Sequence, residues 1–338
     1  DKDKIDGVIT IATDAVKTVA AVADFLKLPG INKKTAILTT DKFLMKKCFK
    51  KNKIPIPKFY KIKNKKELQK NIKKIKSGVL KPTDSRGARG VIRVDKNSDL
   101  NWAFNYSRKF SNNKNLILEE WIEGDQISTE SLVIKNKTYL CGVADRNYSR
   151  SNEMYPFIVE DGGETPSKNS PRINHELTKI LDKAVNALGI KNGIIKGDIV
   201  LKNGKPLIIE TAARLSGGFF STITIPNVYK INIVKKAILL SLGMDVESPP
   251  KILKHYNFQA NRFLFPKPGI VKKIKKISKK DLPKYVKFFE VNVKKNDIIK
   301  RIENHPQRKG SVLVIGKSRK EVITRSKKII KGLKIEFK

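Results

Sequence analysis

The chain has 338 residues, enough to bury a substantial core and to hold two or three structural units. Its hydrophobic content is 39% with no run of 18 apolar residues, so the sequence offers no helical membrane span. The net charge of +40 invites a nucleic-acid reading, but only thirteen of the 72 basic residues are arginines, and the lysines are interleaved with apolar residues in nearly every surface-like segment. They read as solvated helix and strand faces, with no dedicated nucleic-acid surface and only weak, salt-sensitive adsorption to polyanions.

Cys48 and Cys141 lie far apart without metal-type spacing. They imply neither a disulfide framework nor a zinc site, which fits a reducing, cytoplasmic setting. The chain begins at Asp1 with a charged segment that lacks the pattern of a signal peptide.

In chain order, GVITI (7–11) reads as a short buried parallel strand. Thr13-Asp14 can cap a following helix whose apolar positions are Val16, Val19, Val22, Phe25 and Leu26, ending before Pro29-Gly30. This strand and helix look like the tail of a βαβ unit. Thr40-Asp41 can cap a second helix reaching about Lys51. Lys42 sits in its first turn, where a cation opposes the helix dipole. It is either a solvated lysine or one that reaches a bound phosphate. IPIPKFYKI (54–62) is a proline-stiffened connector leading to a strand.

Residues 66–76 form an amphipathic helix and 78–82 a strand that carries Lys81. A lysine inside an apolar strand needs an anionic partner. The loop TDSRGARGV (83–91), with Ser85, Arg86 and Gly87, lies between that strand and the next (91–94). It is either a hairpin turn or a cradle of backbone amides over phosphates. It matches neither a Walker A loop nor a dinucleotide fingerprint. A helix follows (100–110), then LILEEWIEGDQISTESLVI (116–134), two strands broken at Gly124. The linker Glu119, Glu120, Trp121 and Ile122 offers backbone amides and an apolar wall suited to adenine. Another strand starts near residue 138 and leads into a polar loop with Arg146, Tyr148 and Arg150; GGETPS (162–167) reads as a flexible turn.

A helix spans 174–188, closed by Gly189. Then comes KGDIVLKNGKPLIIETAARLSGG (196–218). Asn203-Gly204 between two β-rich runs is a strong hairpin signal, because both central residues of a type I′ turn need positive φ. The turn brings Asp198 and Glu210 together at the open end of the hairpin, with Arg214 and Gly217-Gly218 following. Two carboxylates, a guanidinium and flexible backbone suit a divalent cation holding a phosphate. A helix (231–243) precedes a boundary at Ser248-Pro249-Pro250. The remainder alternates short strands (258–265, 269–274, 311–315) with a terminal helix (320–331). His255 and His305 lack metal-spaced partners and read as incidental.

Five segments, the TDK helix start (40–42), VLKP (79–82), the Gly loop (84–90), ILEEWIEG (117–124) and IETAARLSGG (209–218), together resemble the ATP-grasp superfamily in order and spacing. The nearest likeness is to carboxylate–amine (amino-acid) ligases, with phosphoribosylglycinamide synthetase-like and carbamoyl-phosphate-synthase-like members as close neighbours. The resemblance implies an α/β (α+β) ATP-grasp fold. Residues 1–34 would be a remnant of the N-terminal α/β domain, 35–248 the ATP-grasp domain with a mobile lid at about 76–118, and 249–338 a small C-terminal α+β domain.

It further implies ATP with Mg²⁺ (or Mn²⁺) as cofactors, small-molecule carboxylate and amine substrates, and a homodimer. Lys42 and Lys81 would hold phosphates under the loop Ser85, Arg86 and Gly87. Glu119 or Glu120, with Trp121 and Ile122, would bind adenine, and Gln126 stands where an acid near the ribose is usual. Asp198 and Glu210 would bind the metal. Arg214 would stabilise the transferred phosphoryl group; Arg146, Arg150, Arg214, Gly217 and Gly218 would meet the substrate. Ala212 departs from the resemblance, since an Asn is frequent there. Carboxylation through carboxyphosphate, formyl transfer through formyl phosphate, and a non-catalytic nucleotide or nucleic-acid binder remain alternatives. The acid that triggers ADP release separates them.

Overall fold

A computed structural model describes residues 5–13, 15–275 and 277–338. The first elements are three helices, α1 (Val16–Phe25), α2 (Lys33–Leu38) and α3 (Lys42–Lys51). Asp14 of the expected cap on α1 lies outside the described residues. The caps of α2 and α3 are Asn32, which accepts the Thr35 amide, and Asp41, which accepts that of Leu44. GVITI does not form a buried strand. Among the described residues its pairing is a single parallel bridge from Ile11 to Leu215, and Ile5 and Ile9 are exposed. A parallel strand needs a sheet to join and helices to cover it, and among the described residues only Leu215 is offered. The α1 face that packs inward is Val16, Ala20 and Ala23, not the expected row through Phe25, which is exposed.

Next come β1 (Phe59–Ile62), α4 (Lys65–Ile75), β2 (Ser77–Pro82), β3 (Ile92–Asp95), α5 (Leu100–Lys109) and β4 (Leu116–Glu120). The strands form one sheet in the order β1-β4-β2-β3, all antiparallel, so this unit reaches back to Phe59. Leu68, Ile72 and Ile75 of α4 and Phe104 of α5 pack on Ile62, Leu80, Ile92 and Leu118. Asn64 and Asp99 cap the two helices.

The central sheet contains β5 (Asp125–Ile134), β6 (Lys137–Arg146) and two strands further on. Between them stand the short α6 (Ser151–Met154), β7 (Gly162–Thr165) and α7 (Asn174–Leu188), closed by Gly189 at φ 75°. Then come β8 (Gly193–Lys202) and β9 (Lys205–Ala212), joined by Asn203 and Gly204 at φ 51° and 76° as the turn chemistry requires. The sheet order is β6-β5-β8-β9. One face packs Val143, Ile195, Ile199 and Ile208 on α3 and α7. The other packs Leu132, Cys141 and Ile194 on α8 (Ile225–Tyr229) and α9 (Ile233–Ser241).

The last segment adds β10 (Phe258–Phe263), β11 (Gly269–Lys275), β12 (Val286–Val291), β13 (Ile298–Ile299), β14 (Gly310–Gly316), α10 (Arg319–Gly332) and β15 (Lys334–Phe337). One sheet runs β12-β14-β10-β7 under α10, and a smaller one runs β13-β11-β15. The GGETPS segment is therefore a strand, not a flexible turn. Gly163 permits it, because a Cβ there would come 2.1 Å from the Asp145 carbonyl oxygen. Bare backbone lets β7 slip between β6 and β10. Arg319 then bonds both Asp145 (2.5 Å) and Glu164 (2.8 Å), and Arg262 bonds Glu164, pinning the last segment to the edge of the central sheet.

Candidate active site

Three lysines are buried among the described residues: Lys42, Lys46 and Lys81. Burying an ammonium is costly unless it is paired. All three meet carboxylates below one cavity of about 710 Å³ between the β1-β4-β2-β3 sheet, the central hairpin and the last segment. Lys81 lies 2.9 Å and Lys46 3.3 Å from the buried Glu119, and Lys42 lies 3.2 Å from Glu210. Lys42 also donates to the Ser85 carbonyl (2.5 Å), and Lys46 to that of Ile208 (2.9 Å). The first helix turn therefore aims Lys42 inward, beneath the loop that contains Ser85, Arg86 and Gly87, all of which line the cavity.

Burial drives the Lys46 ammonium down to about 8, against the opposing pull of Glu119. The same burial pushes the Glu119 and Glu210 carboxyls up, but the neighbouring lysines outweigh it and hold both below their ordinary values. Glu119 is thus engaged with lysines in the floor. Glu120, Trp121 and Ile122 line the cavity beside it, with Gln126 nearby. The Trp121 amide already donates to Ser77 O (3.0 Å) and the Glu120 amide to Lys58 O (2.8 Å). The Arg93 guanidinium stacks 4.4 Å from the Trp121 ring centre.

Asp198 and Glu210 are direct cross-strand partners in the register of β8 and β9, just before a bulge at Ile199. They stand within the strands rather than at their ends, because both strands continue beyond them. Asp198 accepts from Ser128 Oγ (3.0 Å), Lys196 (2.6 Å) and Arg146 (3.1 Å). Burial pushes its carboxyl up, yet Arg146 and Lys196 outweigh this and hold it well below the usual range. Arg146 bridges on to Glu160 (3.0 Å). Among the described residues, no three His, Cys, Asp or Glu side chains gather as a metal cluster. Two facing carboxylates nonetheless suit Mg²⁺, which takes one or two protein carboxylates and fills its remaining positions with phosphate oxygens and water.

Arg214 follows the hairpin. It donates to Leu215 O (2.9 Å), while its Nε is buried without a partner among the described residues. The turn beyond it is held by Glu130, whose buried carboxylate accepts the Ser216 amide (3.0 Å) and Ser221 Oγ (2.7 Å). Gly217 and Gly218 line the cavity there. Arg150 does not: its guanidinium pairs with Glu153 (2.5 Å) and faces the Phe265 ring at 5.0 Å. The polar loop turns there because Asp161 accepts both Ser149 Oγ (2.6 Å) and the Arg150 amide (3.0 Å).

Residues 39–218 match the family model for the ATP-grasp domain. The chain belongs to the ATP-grasp family. It is 26% identical over 221 residues to phosphoribosylamine–glycine ligase of Methanococcoides burtonii, covering 57% of this chain and 49% of that enzyme. It thus spans about half the length of the curated relative it matches. Among solved structures, L-amino acid ligase from Bacillus licheniformis superposes with a TM-score of 0.81 at 21% identity, covering 99% of this chain and 81% of that one. Phosphoribosylglycinamide synthetase from Anaerococcus prevotii gives 0.70 at 22%, covering 99% and 83%. At these identities the likeness is one of fold. In this ATP-grasp chain the site draws together every residue expected from the sequence except Arg150.

Four side chains of the site escaped the sequence reading. Lys46 is one helical turn past Lys42 and Lys196 two residues before Asp198, spacings that place each on the same face as its neighbour. His305 and Arg308 come from the last segment. His305, read from the sequence as incidental, lines the cavity and takes the Glu160 amide on Nε2 (3.3 Å), while burial and then Arg308 and Arg146 hold it well below its ordinary value. Arg308 lies 3.3 Å over the Phe263 ring and donates to the carbonyls of His305 (3.0 Å) and Glu160 (3.3 Å). Nothing local in the sequence marks these two, since they reach the cavity through the sheet that β7 joins.

Proposed function

We propose that this protein is an ATP-dependent ligase that activates a carboxylate as an acyl phosphate and joins it to an amine. The observation that carries the reading is one cavity in which Lys42, Lys81, Asp198, Glu210 and Arg214 converge within an ATP-grasp domain. Lys42 and Lys81 would hold the ATP phosphates beneath the loop 84–90, and the wall from Glu119 to Ile122 would take the adenine. Asp198 and Glu210 would hold Mg²⁺, which when bound neutralises phosphate charge and orients the oxygens around phosphorus. Arg146, Arg214 and the backbone at Gly217-Gly218 would meet the acid substrate.

A substrate carboxylate oxygen attacks the γ-phosphorus as the bond to the ADP oxygen breaks. The amine nitrogen then attacks the acyl carbon, phosphate leaves with its oxygen, and the amine loses a proton. The chain needs no covalent nucleophile. Its lysines and Arg214 act by positioning and by neutralising charge as it develops. The domain division at about 34 and 248, a lid that closes over nucleotide, a homodimer and a cytoplasmic setting belong to the same proposal.

The test is ADP and phosphate release across a panel of acids and amines. Release that needs an amino acid and an amine supports the ligase. Release triggered by bicarbonate or formate alone moves the chemistry to carboxylation or formyl transfer. Binding of ATP·Mg²⁺ with no acid-dependent release makes the protein a non-catalytic binder.

A further inference from the structure

Asp198, Glu210 and Ala212 do not stand alone on their face of the hairpin. Residues two apart on a strand share a face, so Lys196 lies beside Asp198 as Ala212 lies beside Glu210. The register pairs Lys196 with Ala212 and Asp198 with Glu210, which makes a square of four side chains on one face, of which Lys196, Asp198 and Glu210 line the cavity and Ala212 is buried. Three corners are ionisable and the fourth is a methyl group. Lys196 Nζ sits 2.6 Å from one Asp198 oxygen, and Arg146 and Ser128 hold the other at 3.1 and 3.0 Å. The Asp198 carboxylate therefore has fixed donors on both oxygens. Glu210 pairs with Lys42, at 3.2 Å, and is the more exposed of the two, at 27% against 13%.

Charge and donor supply point the same way. A pair of facing carboxylates with a third oxygen donor at position 212 could share two divalent ions across bound phosphates. Ala212 supplies no donor, whereas its cross-strand partner Lys196 lines the cavity. An ammonium fixed by a short charge-assisted bond delivers positive charge to the same place without needing to be bound from solution.

We propose that the Lys196 ammonium is the built-in second cation of this site, so that the chain binds its nucleotide with one divalent ion, on the Glu210 side, rather than two. The inference rests on the ATP-binding reading above. It makes Lys196 a positioning residue for phosphate charge, and it gives Asp198 a part beside metal binding, as the anchor of Lys196 and Arg146.

The test counts metal. Full-length protein is titrated with Mn²⁺ in the presence of a non-hydrolysable ATP analogue, and bound ion is read by electron paramagnetic resonance. One Mn²⁺ per chain is expected. Lys196→Met should weaken analogue binding roughly 10- to 100-fold at limiting metal, the range for losing one charged hydrogen bond, and should recover it with excess Mn²⁺ by taking up a second ion. Lys196→Arg should keep the single ion. Two Mn²⁺ on the unaltered chain overturns the inference while leaving the nucleotide reading in place. So does a Lys196→Met protein with unchanged affinity and stoichiometry. Absence of analogue binding by the unaltered chain defeats the ATP reading itself, and this inference with it.

Discussion

The two ends of the cavity handle buried charge differently. At the floor under the β1-β4-β2-β3 sheet, Lys42, Lys46 and Lys81 each have a carboxylate within 3.3 Å, and Lys46 and Lys81 share Glu119 between them. At the far end, Arg214 and Arg308 donate to backbone carbonyls. Backbone oxygens satisfy hydrogen bonds but do not cancel a net charge. The floor thus sets three ammonium groups against two carboxylates and keeps one positive charge for a ligand's phosphates, whereas the far-end guanidiniums lean on backbone oxygens that cancel none of theirs. Burial lowers the Arg308 guanidinium to about 10, with Glu160 pulling it up and Arg146 down. A cation held at such a cost is what an anionic substrate would relieve.

The largest effects should fall where the two ends meet. Glu210→Gln and Arg214→Ala are each expected to cut acid-dependent ADP release by roughly 10²–10³-fold, the usual consequence of removing one group that stabilises developing charge. Far-ultraviolet circular dichroism should remain that of the parent. Near-normal turnover in both proteins would remove the functional reading of the hairpin.

Gly163→Ala should be the most damaging structural change at the far end. Its methyl would meet the Asp145 carbonyl, and relieving that clash costs on the order of 1–3 kcal/mol. Urea unfolding measures it, and a midpoint equal to the parent's would show that β7 is not wedged as described. A smaller, selective effect is expected of Arg308→Met: a rise of roughly tenfold in KM for the acid, or about 1.4 kcal/mol, with KM for ATP unchanged. Equal rises for both substrates would erase the distinction between the two ends.

The floor makes the finest prediction, a pH dependence. Lys46 sits at about 8 in the folded chain against an ordinary 10.5. Between those values the unfolded chain binds the additional proton, so this group makes stability rise with pH across that window. Below pH 8 both states are protonated and its contribution is flat. Lys46→Met should remove that rise, at most about 1.4 kcal/mol per pH unit, when urea melts at pH 7.5 and pH 10 are compared. Parallel pH curves for parent and variant would show that Lys46 is not the source.

Much of the site was legible in the sequence because its parts sit on elements with local signatures. Asp41 is a helix cap that aims Lys42, Lys81 is a lysine in an apolar strand, and Asn203-Gly204 sets the register that opposes Asp198 to Glu210. Each follows from contacts within about twenty residues. The same local reading misjudged residues 7–11, whose apolar run carries strand propensity but finds one bridge in place of a sheet. It took β7 for a turn because glycines that permit close backbone approach look like glycines that permit flexibility.

The sequence by itself determined the family, through five motifs in order, and the hairpin and the placement of Lys42 and Lys81, since capping, strand pattern and turn chemistry are short-range properties. Only the tertiary structure decided that Lys46 shares Glu119 with Lys81, that Arg150 turns outward to Glu153, and that His305 and Arg308 enter the cavity from the far end of the chain. Those outcomes depend on which carboxylate or carbonyl lies across a packed interface, and the partners of Lys46, His305 and Arg308 come from segments far from them in the sequence.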